Sequence, residues 1–418
     1  MQTRFSSKLK PWRSFALLFI GLLGIVAIVG SGGGGSQETP PPKAGAWLVF
    51  LCQASDAPVE PHTLDYYKEL FAAGTPDLVT DFFQKTSNGM IDTSGTEVYG
   101  WFKMSVSTAT IAPAVRNNST QPNRSQTAQD CKTAGAASFL ASGKAIDPTK
   151  YAGFIAVVNV VVDAGMTGAS MVANQDEPAS FYQHEMLHVS GQLNHSWVMA
   201  PDASADHNWE HGIDREYNDC WDIMSYATCT YAFATSRHGG SGPELEMAYR
   251  AALGWLAPTR VFVKDTADRM PSTVTLSPVS EPNRPGPLLA RIEVAGGPTY
   301  MVEYRVKTGF DRGIVDPAVV IRELRHDRKT YLVTRQNGSI GWGVGERFTD
   351  ESNFLSITVD TMNAQSARIT IDPVYSTAAK VGDVCGNKYV GQIRSCPAGS
   401  FCDARRTPPL VTIDYFCQ

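Results

Sequence analysis

The stretch HEMLHVSGQLNHSW, residues 184–197, constrains the fold more than any other part of the chain. Histidines four residues apart share one face only where the chain is helical, so His184 and His188 predict a helix from about Pro178 to Val189. On such a helix Glu185 is rotated by about 100° from His184, which places it beside an ion held by the two imidazoles and not on it. Phe181, Met186, Leu187 and Val189 give the helix an apolar side to pack. Gly191 then has to break the helix and turn the chain back, a task suited to a left-handed glycine. In the three-ligand form of this pattern the third histidine would stand at position 194. That position is Asn194, and the histidine arrives one residue later as His195. A neutral amide oxygen is a poor partner for zinc, whereas one extra residue adds only about 3.5 Å of chain that a turn can absorb by bulging. His195 is therefore the expected third ligand, with Asp202, Asp206 and His207 in reserve.

Around this stretch the chain changes texture once. AWLVFLC (46–52) reads as a buried strand, LDYYKELFA and PDLVTDFFQKTS as helices, and FIAVVNVVV (154–162) as a central strand covered on both sides. Residues 108–149, rich in Ser, Thr, Asn, Ala and Pro, show no clear pattern and read as a surface segment. Beyond LGWLAP come short alternating segments such as LLARIEV, YMVEYRV and ARITIDP, separated by Gly, Pro, Asn and Asp, the pattern of an antiparallel β-sandwich. The fold class is α+β. Residues 46–256 form the domain that carries the histidines, residues 257–376 a β-sandwich, and residues 377–418 a Cys-rich module too short for a core of its own.

The N-terminal residues 1–30 pair a basic start (Arg4, Lys8, Lys10, Arg13) with the apolar run FALLFIGLLGIVAIVG, a signal peptide or an N-terminal anchor. Ser31 stands where a lipidated cysteine would sit, and serine cannot form the thioether. Residues 31–45 read as a Gly/Pro-rich linker. The chain is thus expected to be secreted or held in the cell envelope. Eight cysteines, an even count in an exported chain, favour disulfides. Cys220 and Cys229 flank one short loop, Cys385, Cys396, Cys402 and Cys417 crowd the end, and Cys52 and Cys131 are left to pair. A net charge of −5 without a basic stripe argues against nucleic acid as a partner.

Downstream, CWDIMSYATC (220–229) holds Met224 and Tyr226 in an M-x-Y arrangement. With H-E-x-x-H-x-x-G this resembles the metzincin zinc proteases. EYNDCWDIMSYATC and AYRAALGWL are similar to the gametolysin and immune inhibitor A type within that clan, as is the texture of VTDFFQKTSNGMIDTSGTEVYGWF and TYMVEYRVKTGFD. The resemblance spans roughly residues 46–375. It implies a zinc metalloendopeptidase acting on protein or peptide substrates, with Glu185 as general base for a zinc-activated water, Met224 as an apolar floor and Tyr226 at the metal or the oxyanion. The alternative is a catalytically inactive scaffold that binds a surface, and the off-register third ligand is its one support. A rival pattern, H-x-x-E-H at His207–His211, lies in a polar stretch with no apolar face. Asp214, Glu216 and Asp219 could hold Ca2+, although spaced loop acids are more often caps or solvated charges. His62, His238 and His326 have no partner pattern. The β-sandwich and the Cys-rich module would position substrate or attach the protein to a surface, and the N-terminal segment would also serve in cell-surface attachment.

Overall fold

The structure, a computed structural model, describes residues 43–111, 124–199, 215–225, 230–335 and 339–373, with the backbone of four short strands beyond residue 383. Its first sheet is built from strands β1 (Trp47–Gln53), β2 (Glu97–Lys103), β3 (Gly153–Val158), β4 (Gly165–Thr167) and β5 (Ser170–Asn174). Their spatial order is β2-β1-β3-β5-β4, all parallel except the edge strand β4, which runs antiparallel to β5. β3 is central, as its continuous apolar run predicts, but it ends at Val158, four residues early. There the Asn159 side chain accepts from the Ala54 amide at 3.0 Å and donates to the carbonyl of Val59 at 2.9 Å, so it serves the 54–59 loop and not a ladder. Val161 is left exposed.

Helices α1 (Leu64–Phe71) and α2 (Val79–Thr86) form where their apolar spacing predicts and pack on one face of this sheet. The other face carries α3 (Arg124–Ala141), an 18-residue helix within the segment that the sequence presents as featureless surface. The reason is chemical. The buried positions of α3 are Thr127, Ala128, Cys131 and Gly135, small residues that carry no apolar stripe, while the bulk comes from the sheet below. A Cβ at Gly135 would stand 2.2 Å from the Phe50 ring, so the helix lies almost on the strand. Cys131 is disulfide-bonded to Cys52 of β1, the expected pairing.

α4 (Ala179–Ser190) follows β5 and joins the core shared with α1 and α2. Its Ala179, Tyr182, Gln183, Met186 and Leu187 are buried, at the i, i+3, i+4, i+7, i+8 spacing of a core-facing helix. Strands β6 (Trp197–Met199) and β7 (Arg215–Glu216) then leave this layer. They complete a second, seven-stranded sheet with β8 (Val261–Asp265), β10 (Leu289–Glu293), β11 (Thr299–Arg305), β12 (Ala318–Leu324) and β13 (Thr330–Val333), in the order β8-β10-β11-β12-β13-β6-β7. A third sheet, β9 (Ser272–Leu276) with β14 (Arg347–Asp350), β15 (Leu355–Asn363) and β16 (Ser366–Asp372), shares a core with it. The third sheet is antiparallel throughout. The second is not, because β8 pairs parallel with β10 and β13 parallel with β6. The segments expected on either side of residue 256 therefore share one sheet. The chain is mixed, with few helices and several sheets.

Beyond residue 383 the backbone forms strands Val384–Asn387, Gln392–Ile393, Cys402–Arg406 and Ile413–Cys417, with Cys402 opposite Cys417 in register. The expected bridges among the last four cysteines lie outside the described side chains. Cys220 is disulfide-bonded, and Cys229, its expected partner, is also outside the described residues. Among the described residues no helix is long and apolar enough to cross a membrane.

Candidate metal centre

α4 sets two of the three histidines. The Gly191 amide closes the last turn on the Leu187 carbonyl at 2.9 Å, and the buried Gln183 ties the helix to Ser241 and Gly242. His184 and His188 project one turn apart, with ring centroids 4.9 Å apart. The turn that follows differs from the expected one. Gly191 keeps a right-handed φ of −113°, and Gln192, with φ of 51°, takes the left-handed position. Space favours glycine at 191, since a Cβ there would stand 2.9 Å from Leu193 Cγ and 3.1 Å from Leu253 Cδ1, and both side chains would have to shift. Asn194 is exposed, and His195 turns inward.

The three Nε2 atoms converge. His188 Nε2 is 3.2 Å from that of His184 and 3.1 Å from that of His195. A tetrahedral set of nitrogens about 2.0–2.1 Å from zinc has edges of about 3.3–3.4 Å, so the spacing is close to what such an ion imposes. Each Nδ1 faces an acceptor: the Ile223 carbonyl at 2.8 Å for His184, the Leu193 carbonyl at 2.8 Å for His188, and Glu216 Oε1 at 2.7 Å for His195. These partners place a proton on every Nδ1 and a lone pair on every Nε2. Burial holds all three imidazoles below their ordinary range, His184 to about 4 and His195, with its two neighbouring imidazoles adding to the effect, to about 3. Near neutral pH, three lone pairs therefore point at one another with no proton between them. A borderline cation such as Zn2+ fits this donor set; hard Ca2+ does not.

The arm that carries His195 is fixed by contacts distant in sequence. Ser196 is fully buried; its amide donates to the Met224 carbonyl at 3.0 Å, its carbonyl accepts from Tyr217 at 2.9 Å, and its hydroxyl bonds Asp222. From the next residue, β6 docks against β13, with Trp197 opposite Tyr331. Met224 is wholly buried in the core that α4 joins, and its neighbour Ile223 supplies the carbonyl that faces His184 Nδ1. The Tyr217 ring lies 3.9 Å from the His195 ring, a contact that no sequence pattern announces.

The 219–222 loop is locked in turn by buried charge. Arg322 of β12 donates hydrogen bonds to Asp219 at 2.6 Å and Glu303 of β11 at 2.5 Å, and forms an ion pair with Glu246 at 2.6 Å. The Glu246 amide donates to Asp222 at 2.9 Å. Glu246 and Glu303 stand against helix α5 (Met247–Ala252), whose first amide donates to Glu303 at 2.7 Å. One cation of the sheet beyond residue 257, Arg322, thus holds the loop that leads to Ile223 and Met224.

Glu185 is half-buried, and its Oε2 accepts from the Met166 amide of edge strand β4 at 3.0 Å. Burial raises its carboxyl above the ordinary range, against the pull of His188 and Arg124. Tyr226, Asp202, Asp206, Asp214 and the His207–His211 pattern lie outside the described residues. Glu216 and Asp219, considered for calcium, have other partners: His195 and Arg322. His62 bonds Asp176 at 2.9 Å, His238 is buried behind Tyr66, and His326 is exposed, so none of the three joins the cluster. No protein-family model matches the chain, and no curated protein sequence matches it.

Proposed function

We propose that the chain is an exported zinc-dependent metalloendopeptidase of metzincin type, its histidine-bearing domain followed by a β-sandwich and a Cys-rich module. The observation that carries this is the convergence of three Nε2 lone pairs from His184, His188 and His195, each imidazole oriented through its Nδ1, with a carboxyl group next to His184 in sequence. A zinc ion held there would supply Lewis acidity towards a scissile carbonyl and towards water. Glu185 has the chemistry of the base. Its carboxyl is raised by burial and oriented by Met166, so it can take a proton from water and pass it to the leaving amine. Met224 floors the site, and Tyr226 is assigned the oxyanion. The alternative of a non-catalytic surface-binding scaffold drew on the displaced third histidine, and His195 stands beside the other two.

Glu185→Gln preserves volume but cannot accept a proton. It should leave zinc content and folding intact and lower hydrolysis of a general protein substrate such as casein by about 10²–10⁴-fold. Chelation should abolish hydrolysis and added zinc restore it. Retention of more than about a tenth of the activity by Glu185→Gln, a loss of only about 1.4 kcal/mol, would remove Glu185 from the base's role.

A further inference from the structure

A recess of about 520 Å³ lies on the face of the first sheet opposite the histidines, between the C-terminal half of α3 and the segment 144–153. That volume falls in the range of small-molecule sites. Its floor is Leu48, Phe50 and Phe154 of β1 and β3, all buried, and its wall includes Phe139 and Ile146. Leu140, also in the lining, stands with 80% of its surface exposed.

The lining contains two lysines, Lys132 and Lys144, and no carboxylate. Lys132 Nζ sits 4.7 Å from the Phe154 ring and, among the described residues, has one hydrogen-bond partner, the neutral hydroxyl of Ser170 at 2.9 Å. Partial burial lowers its pKa, the mark of an ammonium short of compensation. Glu97, which the lining residue Tyr151 contacts, is already engaged by the hydroxyls of Tyr99 and Tyr151, and Asp147, between two lining residues, by Thr149. An apolar recess with an under-compensated cation on its wall suits a ligand with a hydrocarbon body and one anionic head.

We propose that this recess binds a single amphipathic carboxylate of the fatty-acid type, with its chain over Phe50 and Phe154 and its head on Lys132. A free monomer is favoured over a bilayer because the site is one recess and not a broad basic surface. The site is separate from the histidines and does not depend on their function.

The test is calorimetric titration of the full chain with monomeric dodecanoate. Dodecyltrimethylammonium serves as the opposite-charge probe and phosphatidylglycerol vesicles as the bilayer probe. The expected result is saturable binding of one dodecanoate per chain and none of the ammonium. Lys132→Met should weaken dodecanoate at least about tenfold, as loss of a charge-assisted bond implies. Ala136→Phe, on the exposed side of α3, should block the recess without disturbing the fold. No saturable binding, equal affinity for the cationic probe, binding to vesicles alone, or full binding by Ala136→Phe would each overturn the proposal.

Discussion

The centre is assembled from two unlike halves. His184 and His188 stand on one helix, where covalent geometry and a buried apolar face determine their relation. His195 stands on an arm whose position comes from Ser196, Met224 and Tyr217 and from the docking of β6 on β13, a strand more than a hundred residues later in the chain. The helical pair is local and the arm is tertiary. The difference implies that the pair should survive damage elsewhere in the molecule, and that the third ligand should feel damage to the buried charges around Arg322.

The largest separation between the halves should come from Arg322→Leu. It leaves Asp219, Glu246 and Glu303 buried without their common cation, and breaking such a network costs about 3–5 kcal/mol. Chemical denaturation should show that loss, and zinc titration of the still-folded fraction should show weaker binding although Arg322 touches no histidine. Unchanged zinc affinity in the destabilised protein would mean that the arm holds itself.

Acid should work on the same lock more gently. Burial alone would raise the Glu303 carboxyl, but the guanidiniums of Arg305 and Arg322 override it and hold it at about 2, below its ordinary 4.5. The unfolded chain therefore binds the proton more readily than the native one. The stability this group contributes is present above about pH 4.5 and is lost as pH falls towards about 2. Denaturation midpoints measured across that window should fall in the native chain and fall less in Glu303→Gln. Parallel curves would exclude Glu303 as the sensitive group.

The smallest expected effect is confined to the arm. Glu216→Gln weakens the acceptor on His195 Nδ1 while leaving the ring in place, and loss of such an orienting partner lowers metal affinity by about 10–100-fold. Competition with a chelator of known affinity measures it. No change would show that Tyr217 packing alone orients the ring.

The same division governs what the sequence discloses. α1, α2 and α4 are legible because each buries a periodic face, β1 because its apolar run is continuous and buried on both faces, and the two helical histidines are legible with α4. The arm is only half legible: chemistry favours His195 over Asn194, yet Gln192 as the left-handed residue and Ser196 as the anchor depend on neighbours that no local pattern names. α3 is hidden because small residues, not an apolar stripe, let it lie on Phe50. The parallel pairing of β6 with β13 is hidden because strand alternation says which face is buried and not which strand lies alongside. Tyr217 left no signal at all.

The central claim is that one divalent cation is held by two helix-borne imidazoles and one arm-borne imidazole. Zinc stoichiometry by elemental mass spectrometry, on the native chain, His195→Ala and Asn194→Ala purified in parallel, tests it most directly. The native chain and Asn194→Ala should carry about one zinc each, and His195→Ala should lose most of it, because two imidazoles fall short of the three protein ligands usual in catalytic sites. Full zinc content in His195→Ala, or none in the native chain after exposure to zinc, would contradict the account.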